Sequence, residues 1–557
     1  MASKRASSRS PSPALESAHN SPQCPSKRTK SAPGILASHR IFILQAKLSH
    51  TDISEIFDLA DSADADVVGS PDEADIVITA IGMRKRLERH IDWNLAVSVE
   101  LSLASKRKAL VTPDWLRDSV AQGSSLPCAD YAALPDLNLK EEEHQDEKRP
   151  SSKSESRFTS LHGSLPPARS QSPPRAAHAD VTPPAFLLPP PVPPPDVELD
   201  HTAHLCCSRP SSLIYVNQPL CAALDVLRRS RALESNERSA LSYGRAIASI
   251  KAFPRTITAK ERGEVQKLPY IGAKISKMID EYLFHGHIPE VEEMRQSERF
   301  KALSLFTTVY GIGPTTARTL YDRGLRSLRD LEAYYEVDTG FTPVENNESP
   351  DLNIRIALGL REELMLTIPR KEVEAIHATI MDHLNTVEPG CVSTIAGGYR
   401  RGKPESNDID IIFTHPNAKS AKNLCGRLVE RLRSAGLVTH VMHLSGFHEY
   451  DALRTAQWDS LEKALTVYRT PNNGQHRRVD LICALPETYW TAVVGWTGAT
   501  MFQRDLRLAA KSVGLKFDSS GLTRRRDSRL TFPRSEKEIF DIIGIPWVNP
   551  TLRNTDA

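Results

Sequence analysis

Short apolar runs alternate with helical stretches along residues 38–131. Arg40–Leu44, Asp75–Thr79 and Lys108–Thr112 each have the length and composition of a buried strand. Because strands that alternate with helices at this spacing build a parallel sheet, we predict a small α/β domain over residues 37–132. A capped helix with proline in its first turn follows the third strand.

Helical periodicity dominates the next patterned part of the chain. Apolar residues recur every three or four positions within residues 213–300, which predicts a small all-α domain. Residues 301–385 read as a second helical unit, punctuated by glycine and proline. After Val392 strands return, so the last part of the chain is predicted to be mixed α/β.

Proline is concentrated between these patterned regions. Residues 151–200 contain 12 of the 39 prolines, and the mixed-charge run KEEEHQDEKR precedes them. Such a composition buries too little apolar area to offset the entropy lost on ordering. We therefore predict a disordered Pro/Ser-rich linker over residues 133–212.

The first 36 residues are rich in Ser, Pro, Lys and Arg. Residues 1–36 are predicted to be a disordered basic tail. The run Lys27-Arg28-Thr29-Lys30 is either a nuclear import signal or only part of a solvated tail, and the motif is too loose to decide.

The remaining composition narrows the class of protein. The eight cysteines are scattered without a CxxC pair, which favours a reduced, intracellular compartment. Neither a membrane span nor a secretory signal is expected, because no apolar run of about 18 residues is found. Residues 213–557 carry 47 basic and 42 acidic residues, a small excess that does not establish nucleic-acid binding.

Two glycine-containing turns lie between helical patterns. They are Leu268–Lys274 and Val309–Thr315. Each turn would expose backbone N–H groups at a helix N-terminus, where the helix dipole favours a phosphate oxygen. One such segment is commonly only a turn, but the matched pair predicts two helix-hairpin-helix elements that grip a nucleic-acid backbone without reading its bases.

Acidic residues share one face of a predicted strand. Asp408 and Asp410 are two positions apart, so their side chains point the same way while Ile409 faces a core. Two carboxylates aimed at one spot repel each other unless a cation lies between them. Asp480, between apolar neighbours in RRVDLI, can supply a third ligand.

This set of residues suits phosphoryl transfer. Three carboxylates suit Mg²⁺ bridged to substrate phosphates, and two such ions about 4 Å apart would hold the attacking and leaving oxygens. Upstream, Gly397 and Gly398 let backbone N–H groups approach a triphosphate, and Arg401 adds positive charge. An isolated D-x-D is common on exposed strand ends, so the prediction rests on these motifs together.

A signature of another kind lies in residues 111–131. They read VTPDWLRDSVAQGSSLPCADY and resemble the C-terminal signature of BRCT domains. The resemblance implies that Trp115 is a buried anchor of the domain core. Any amphipathic helix can carry a tryptophan in its core face, so the matching strands upstream carry part of the argument.

Residues 214–557 resemble the family X DNA polymerases. The similarity covers both turns and the segments GGYRRGK, DID, RRVDLI, GWTGATMFQRDLR and GIPWVNPTLR. A BRCT domain and a linker before such a core are similar to the end-joining members, polymerase lambda, polymerase mu and terminal transferase. The resemblance implies an 8-kDa-type helix-hairpin-helix domain (213–300), a DNA-gripping helical subdomain (301–385), an α/β nucleotidyltransferase palm (386–490) and an α+β thumb-like, nucleotide-selecting subdomain (491–557).

The resemblance also implies a role for individual positions. The catalytic metal ligands, for two Mg²⁺ ions or for Mn²⁺ as the alternative metal, are Asp408, Asp410 and Asp480. Backbone carbonyls for a monovalent cation come from Thr307, Val309 and Ile312. The nucleotide-binding positions are Arg370, Gly397, Gly398, Arg401, Asn407, Gly495, Trp496 and Gln503. The DNA-binding positions are Gly272, Lys274, Gly311, Gly313, Arg504 and Arg507.

Two departures from the family pattern affect activity. Lyase-active members carry a Schiff-base lysine where this chain has Met278, so we expect abasic-sugar lyase activity to be absent or weak unless Lys274 or Lys277 substitutes. Gly495 followed by Trp496 matches polymerase mu and terminal transferase. It predicts weak exclusion of ribonucleotides, unless the glycine is only a turn residue.

Other positions leave the need for a template open. The excursion at Leu444–Asp459 looks shorter than in the mu-like members, and Asn407 replaces the histidine that those relatives carry. The run Arg524-Arg525-Arg526 is left as an unassigned DNA contact, because such runs are commonly solvated surface.

Three functions therefore stay open. The first is a nuclear, monomeric polymerase that adds dNTPs to gapped or broken DNA in end joining, with the Ku heterodimer and the ligase complex as BRCT partners. The second is a template-independent terminal transferase. The third is a BRCT scaffold with an inactive core, against which the three intact aspartates argue.

Overall fold

The computed structural model describes residues 34–88, 90–91, 97–98, 108–134, 199–337, 350–446, 461–472 and 474–556. Most of the predicted tail, most of the predicted linker and most of the predicted excursion at 444–459 lie outside the described residues. Within the described ranges, no helix has the length and apolar character needed to cross a membrane.

The N-terminal domain is a parallel sheet with helices between its strands. The strands are β1 (Arg40–Leu44), β2 (Asp66–Val67), β3 (Ile76–Thr79), β4 (Val97–Ser98) and β5 (Lys108–Val111). The helices are α1 (His50–Ser62), α2 (Arg84–Leu87) and α3 (Pro113–Gln122). In the described residues the strand order is β2-β1-β3-β5-β4 with every pairing parallel, which confirms the α/β prediction for this region.

Local signals explain the ends of these helices. Ser49 and Asp52 form a reciprocal capping box at the start of α1. Gly123 ends α3 in the left-handed region at φ 69°, where glycine carries no steric penalty. Trp115 of α3 is fully buried, and its indole Nε1 donates to the Leu126 carbonyl at 2.9 Å. The tryptophan therefore anchors the helix to the loop that follows it.

Residues 199–337 and 350–366 are largely helical. The first group of helices is α4 (Gln218–Leu233), α5 (Glu237–Ala252), α6 (Arg262–Val265), α7 (Ala273–His285) and α8 (Pro289–Gln296). The second group is α9 (Glu298–Phe306), α10 (Pro314–Asp322), α11 (Leu328–Tyr334), α12 (Pro350–Gly359) and α13 (Arg361–Leu364). Each group has its own apolar core, around Leu224 and Ile247 in the first and around Phe306 and Leu320 in the second.

A mixed sheet follows. Its elements are β6 (Ile368–Pro369), α14 (Arg370–Val387), β7 (Val392–Ile395), α15 (Gly397–Arg400), β8 (Glu405–Ser406), β9 (Ile409–Thr414), α16 (Ala418–Ala421), α17 (Leu424–Ser434), β10 (Val438–Ser445), β11 (Glu462–Arg469) and β12 (His476–Cys483). The sheet order is β10-β11-β12-β9-β7, in which β9 and β12 are parallel and the other pairs antiparallel. Helices α14 and α17 share an apolar core with one face of the sheet.

The C-terminal domain combines helices with a small antiparallel sheet. Its elements are α18 (Tyr489–Thr497), α19 (Thr500–Ser512), β13 (Leu515–Asp518), β14 (Gly521–Arg524), β15 (Leu530–Thr531) and α20 (Glu536–Ile543). The strands pair in sequence order, β13-β14-β15. Helices α18, α19 and α20 bury one apolar core with this sheet.

The predicted linker extends too far toward the C-terminus. Residues 199–212 are ordered, and Cys206, Cys207 and Arg209 are fully buried. Ser211 pairs with Arg553 in a parallel bridge, in which the Ser211 amide donates to the Leu552 carbonyl at 2.8 Å. The sequence did not reveal this segment because it directly follows the proline-rich run, and its few apolar residues are buried against the C-terminal domain rather than against each other. The predicted tail likewise ends too late, since Leu36 is fully buried in the N-terminal core.

One carboxylate ties the end of the chain to the mixed sheet. Glu536 is 7% exposed and receives hydrogen bonds from Arg400 at 2.9 Å and from Arg553 at 2.7 Å. Arg553 is fully buried and also donates to the Val548 carbonyl. Burial alone would raise the pKa of Glu536, but the guanidinium groups of Arg553 and Arg400 outweigh it and lower that pKa to about 2.

Acid is expected to weaken this network. Because the folded pKa of Glu536, about 2, lies below the ordinary 4.5, its stabilisation is complete above pH 4.5 and is lost as the pH falls through about 2. The difference corresponds to ~3 kcal/mol at neutral pH. We expect Glu536→Gln to lower the free energy of unfolding by about 3 kcal/mol at pH 7. At pH 3 this loss is expected to be smaller by about 2 kcal/mol.

Urea unfolding followed by tryptophan fluorescence at both pH values measures this difference. The matched control is Asp541→Asn on the same helix, whose carboxylate is 54% exposed and pairs with the exposed Lys537 in α20. The control is expected to change stability by no more than about 0.5 kcal/mol. Equal losses for the two variants would show that the buried carboxylate does not hold the domain together.

Candidate active site

Neighbouring strands of the mixed sheet carry the predicted acidic residues. The parallel register of β9 and β12 places Asp410 directly opposite Asp480. Side chains alternate along a strand, so the two carboxylates share one face. The residues on either side of them are buried in the core: Ile409, Ile411, Val479 and Leu481.

A single guanidinium joins the third aspartate to this pair. Asp408 immediately precedes β9, and Arg478 Nη2 lies 3.0 Å from Asp408 Oδ2 and 3.6 Å from Asp480 Oδ2. Arg478 shares the face of Asp480 because it is two residues earlier on β12. The Tyr310 ring lies under Arg478, with 5.3 Å between the guanidinium carbon and the ring centre. The three aspartates are therefore neighbours around one positive charge.

Nearby positive charge does not fully compensate the carboxylates of this cluster. Burial raises the pKa of Asp480 to about 7, with Arg478 acting in the opposite direction and Asp408 in the same one. The pKa of Asp410 is also raised, first by burial and then by Asp408 and Asp480. Asp480 Oδ1 is buried without a hydrogen-bond partner in the described part of the chain. An added cation would therefore be favoured at this face.

The donor set fits a divalent metal, although no coordination sphere is complete. No three His, Cys, Asp or Glu side chains among the described residues are already gathered closely enough to hold a metal ion. Arg478 lies against Asp408 and Asp480 instead. Carboxylate oxygens are the ligands that Mg²⁺ prefers, and the unpaired oxygen of Asp480 is available as one of them.

Glycine is required where α15 begins. Gly397 has φ 55°, and a Cβ atom at this position would lie 1.9 Å from Asp410 Oδ2. Any side chain here would displace the carboxylate. A Cβ at Gly398 would meet only the flexible Lys403 side chain, at 3.1 Å. The first glycine therefore lets the backbone pass directly beside the acidic pair.

Nearby arginines are occupied by protein groups. Arg401 donates to the Thr497 carbonyl at 2.5 Å and lies 3.3 Å from Asn554 Oδ1, so it joins the site to the C-terminal domain. Arg370 donates to the carbonyls of Tyr399 and Lys403 and stacks on the Tyr399 ring at 3.7 Å. Both predicted nucleotide-binding arginines therefore bond to protein groups. Arg370 holds the 397–403 turn, and Arg401 links that turn to the C-terminal domain.

The second predicted hairpin faces the acidic cluster. A cleft of about 680 Å³ is lined by residues 307–313 together with Asn407 and Arg478. Gly311 has φ 90°, and Gly313 caps the N-terminus of α10 with open space where a Cβ would stand. Thr307, Val309 and Ile312 all lie in this turn, where the Val309 carbonyl already accepts from the Ile312 amide at 3.1 Å.

The first predicted hairpin belongs to the other helical group. Gly272 caps α7, and open space lies where its Cβ would stand. Lys274 Nζ lies 3.4 Å from Glu290 and 5.7 Å from the centre of the Tyr243 ring. Met278 is 3% exposed and packs in the core of this group beside Tyr243.

Comparison with known proteins assigns these units. Family models match the helix-hairpin-helix domain at residues 216–288, the fingers domain of DNA polymerase lambda at 304–342, the DNA polymerase beta palm at 367–486 and the DNA polymerase beta thumb at 492–554. Human DNA-directed DNA/RNA polymerase mu is 31% identical over 366 residues, which cover 62% of this chain and 71% of that relative.

The chain belongs to family X of the DNA polymerases.

Two further relatives match a similar share of this chain. DNA polymerase lambda of Arabidopsis thaliana is 30% identical over 334 residues, covering 58% of this chain and 59% of that relative. DNA nucleotidylexotransferase of Ambystoma mexicanum is 27% identical over 375 residues, covering 62% and 70%. The resemblance seen in the sequence is confirmed, as are the helix-hairpin-helix, fingers, palm and thumb units of this polymerase. The N-terminal domain lies outside the four matched ranges.

The thumb of this polymerase holds three of the predicted nucleotide contacts against its own residues. A Cβ at Gly495 would lie 2.5 Å from Ser519 Oγ, so a side chain at this position would clash with Ser519 unless one of them moved. Gln503 is 5% exposed and donates to the Val494 carbonyl at 2.5 Å, so its amide holds α19 against α18. Trp496 is half-buried against the thumb core.

An exposed basic stripe runs along α19. Arg504 and Arg507, both predicted DNA contacts, are exposed. Lys511, four residues further on, is exposed on the same side of the helix and was not predicted. The 3.6-residue period of α19 was the signal that could have predicted Lys511. It places Gln503 and Leu506 on the buried face of the helix and leaves the basic side chains on the other face.

Sequence reasoning also missed Arg478. The segment RRVDLI predicts a role for Asp480 and none for the residue two positions earlier. Its place on the same strand face was the available signal, since i and i+2 side chains point together. By contrast, the predicted DNA contact at Arg524 is occupied within the thumb, where its side chain pairs with the buried Asp527.

Filling the space of one glycine is expected to disrupt the site. Gly397→Ala would place a Cβ atom 1.9 Å from Asp410 Oδ2 and impose φ 55° on an alanine. We expect primer extension to fall at least about 100-fold, because displacement of a reacting group by ~1 Å has that effect. Steady-state primer extension on gapped DNA measures it.

Gly426→Ala in α17 is the matched control. Its Cβ would enter open space, and no nucleotide-binding role is predicted for this position. The control is expected to keep activity within about threefold of the original chain, because the added methyl group displaces nothing. Similar activities for the two alanine variants would contradict the assigned position of Asp410.

Proposed function

We propose that this family X polymerase adds dNTPs to the 3′-hydroxyl of gapped or broken DNA in the nucleus and serves double-strand break repair by non-homologous end joining. The register that sets Asp410 opposite Asp480 is the observation that carries the catalytic part of the proposal. It places like charges on a rigid sheet beside the cleft that the second hairpin lines.

Asp408, Asp410 and Asp480 are proposed to hold two Mg²⁺ ions, with Mn²⁺ as a substitute. When bound, such ions activate the 3′-hydroxyl and neutralise charge on the triphosphate. The chain itself contributes the positioning. Gly397 leaves room beside Asp410, and the Arg401 and Arg370 side chains brace the 397–403 turn.

Gripping of DNA is assigned to three surfaces. The N-terminal ends of α7 and α10, with Gly272 and Gly313 at their caps, offer backbone N–H groups to phosphate oxygens. The exposed stripe of α19 offers Arg504 and Arg507. A monovalent cation at the 307–312 turn would steady the second hairpin through backbone carbonyls.

The end-joining role rests on the N-terminal domain. Its parallel α/β fold and the fully buried Trp115 support a BRCT assignment. Two relatives are a polymerase mu and a DNA nucleotidylexotransferase, which supports the same branch of the family. We infer that this domain recruits the polymerase to broken ends through the Ku heterodimer and the end-joining ligase complex.

Primer extension tests the polymerase assignment. The chain is expected to fill a short gap on a template with Mg²⁺, and Asp480→Asn is expected to lower that rate at least about 1,000-fold, because a charge needed at the reacting atoms is removed. Gapped, blunt and mismatched-end DNA are compared in parallel. Homopolymer extension of a single strand at the gap-filling rate would favour the terminal transferase instead.

A binding measurement separates loss of metal from loss of fold. Titration calorimetry with Mn²⁺ is expected to show weaker binding by Asp480→Asn than by the original chain, at unchanged thermal stability. Glu487→Gln, another acidic residue between the same strand and the thumb, is the control for charge. A chain that binds DNA yet incorporates no nucleotide with either metal would support the inactive scaffold.

Abasic-sugar lyase activity is expected to be absent or weak. Met278 is buried and carries no amine, and interaction with Tyr243 raises the pKa of Lys274, which keeps that amine protonated. A Schiff base needs a neutral amine. Borohydride is expected to trap little protein on an incised abasic site. Strong trapping that disappears in Lys277→Ala would overturn this expectation, because the exposed Lys277 would then be the nucleophile.

A further inference from the structure

The turn between β14 and β15 contacts the N-terminal domain. The Gln45 side-chain amide donates to the Ser528 carbonyl, and its oxygen accepts from the Leu530 amide at 3.0 Å. One side chain therefore satisfies a backbone acceptor and a backbone donor of the thumb. In return, Ser528 Oγ donates to the Gly69 carbonyl at 3.1 Å.

An arginine extends the contact onto helix α1. Arg529 Nη2 lies 3.1 Å from Ser54 Oγ and 3.1 Å from Asp58 Oδ1. Its guanidinium also lies over the Phe57 ring, 5.5 Å from the ring centre. The Arg529 side chain keeps only 21% of its surface exposed. This contact combines an ion pair, a hydrogen bond and a cation–π interaction in one place.

Apolar packing and close backbone approach complete the surface. Leu530 and Phe532 of the thumb pack against the core of the N-terminal domain. A Cβ atom at Gly69 would lie 3.1 Å from the Arg525 carbonyl and 3.2 Å from the Arg526 carbonyl. The glycine therefore allows two backbones to meet more closely than other residues would.

Hydrogen bonds within the thumb turn itself also restrain its conformation. Asp527 is 2% exposed and accepts from Arg524 Nε at 2.9 Å and from the Arg529 amide at 3.1 Å. The Arg524 amide donates to the Arg529 carbonyl at 2.8 Å. A turn that is already ordered loses little entropy on docking.

We propose that the N-terminal domain docks in cis on the thumb turn 525–532 of its own chain, through a surface formed by Gln45, Ser54, Phe57, Asp58 and Gly69. Residues 135–198 join the two domains in sequence, so the docking is intramolecular and has an effective concentration on the order of millimolar. At this effective concentration the docked state is populated, even if the same contact is too weak to hold two separate molecules together.

The proposal rests on these contacts and not on the BRCT assignment. It fixes the orientation of the N-terminal domain relative to the DNA cleft, so a partner held by that domain would present its DNA end in a set direction. The docked face of α1 is covered, so such a partner uses another face of the domain or displaces the thumb.

Hydrogen–deuterium exchange of the full chain tests the docking. Gln45→Ala removes the acceptor of the Leu530 amide, and we expect exchange at that amide to become at least about tenfold faster. Arg529→Glu is expected to have the same effect by repelling Asp58. The combination Arg529→Glu with Asp58→Arg is expected to restore protection, which a merely misfolded variant would not.

Lys537→Glu on α20 is the matched charge reversal, since its partner Asp541 belongs to the same helix. It is expected to leave exchange at 528–532 unchanged. Gap filling by the Gln45 and Arg529 variants is expected to stay within about twofold of the original chain, so failure here is distinct from failure of the polymerase proposal. Unchanged exchange in both docking variants would overturn the proposal. So would protection that rises with protein concentration together with a dimer in sedimentation, because a second copy would then be the occupant.

Discussion

Parallel pairing of β9 with β12 holds Asp410 opposite Asp480, and the repulsion between these carboxylates shapes what surrounds them. Hydrophobic burial of the neighbouring residues fixes the strands, so the charges cannot move apart. The sheet holds the negative charges close together, and Arg478 neutralises only part of that charge. A polymerase site of this kind obtains its affinity for cations from the stability of its core.

Strand alternation made the acidic cluster predictable. Asp408 and Asp410 could be assigned to one face because a period of two leaves no other choice beside buried isoleucines. The two helix-hairpin-helix turns were predictable for a similar reason, since glycine between helical patterns has few structural meanings. Each of these features is encoded within about ten residues of sequence.

The features that the sequence did not predict depend on long-range packing. Gln503 follows the family motif, yet the helical period of α19 turns it toward Val494, and only the fold shows that carbonyl. Arg370 and Arg401 read as free charges because their acceptors are backbone carbonyls supplied from distant segments. Residues 199–212 read as linker because they have no core of their own. In each case the partner is remote in sequence, so local composition carries no sign of it.

Residues near both ends of the catalytic core meet beside the thumb. Ser211 hydrogen-bonds to Leu552 and receives a hydrogen bond from Asn554, while Lys251 of α5 reaches the Asp556 carbonyl at 2.6 Å. A short peptide could therefore bridge these two segments with little distortion. The catalytic core is by this geometry suited to circular permutation, with its old ends fused and new ends opened in a surface loop elsewhere.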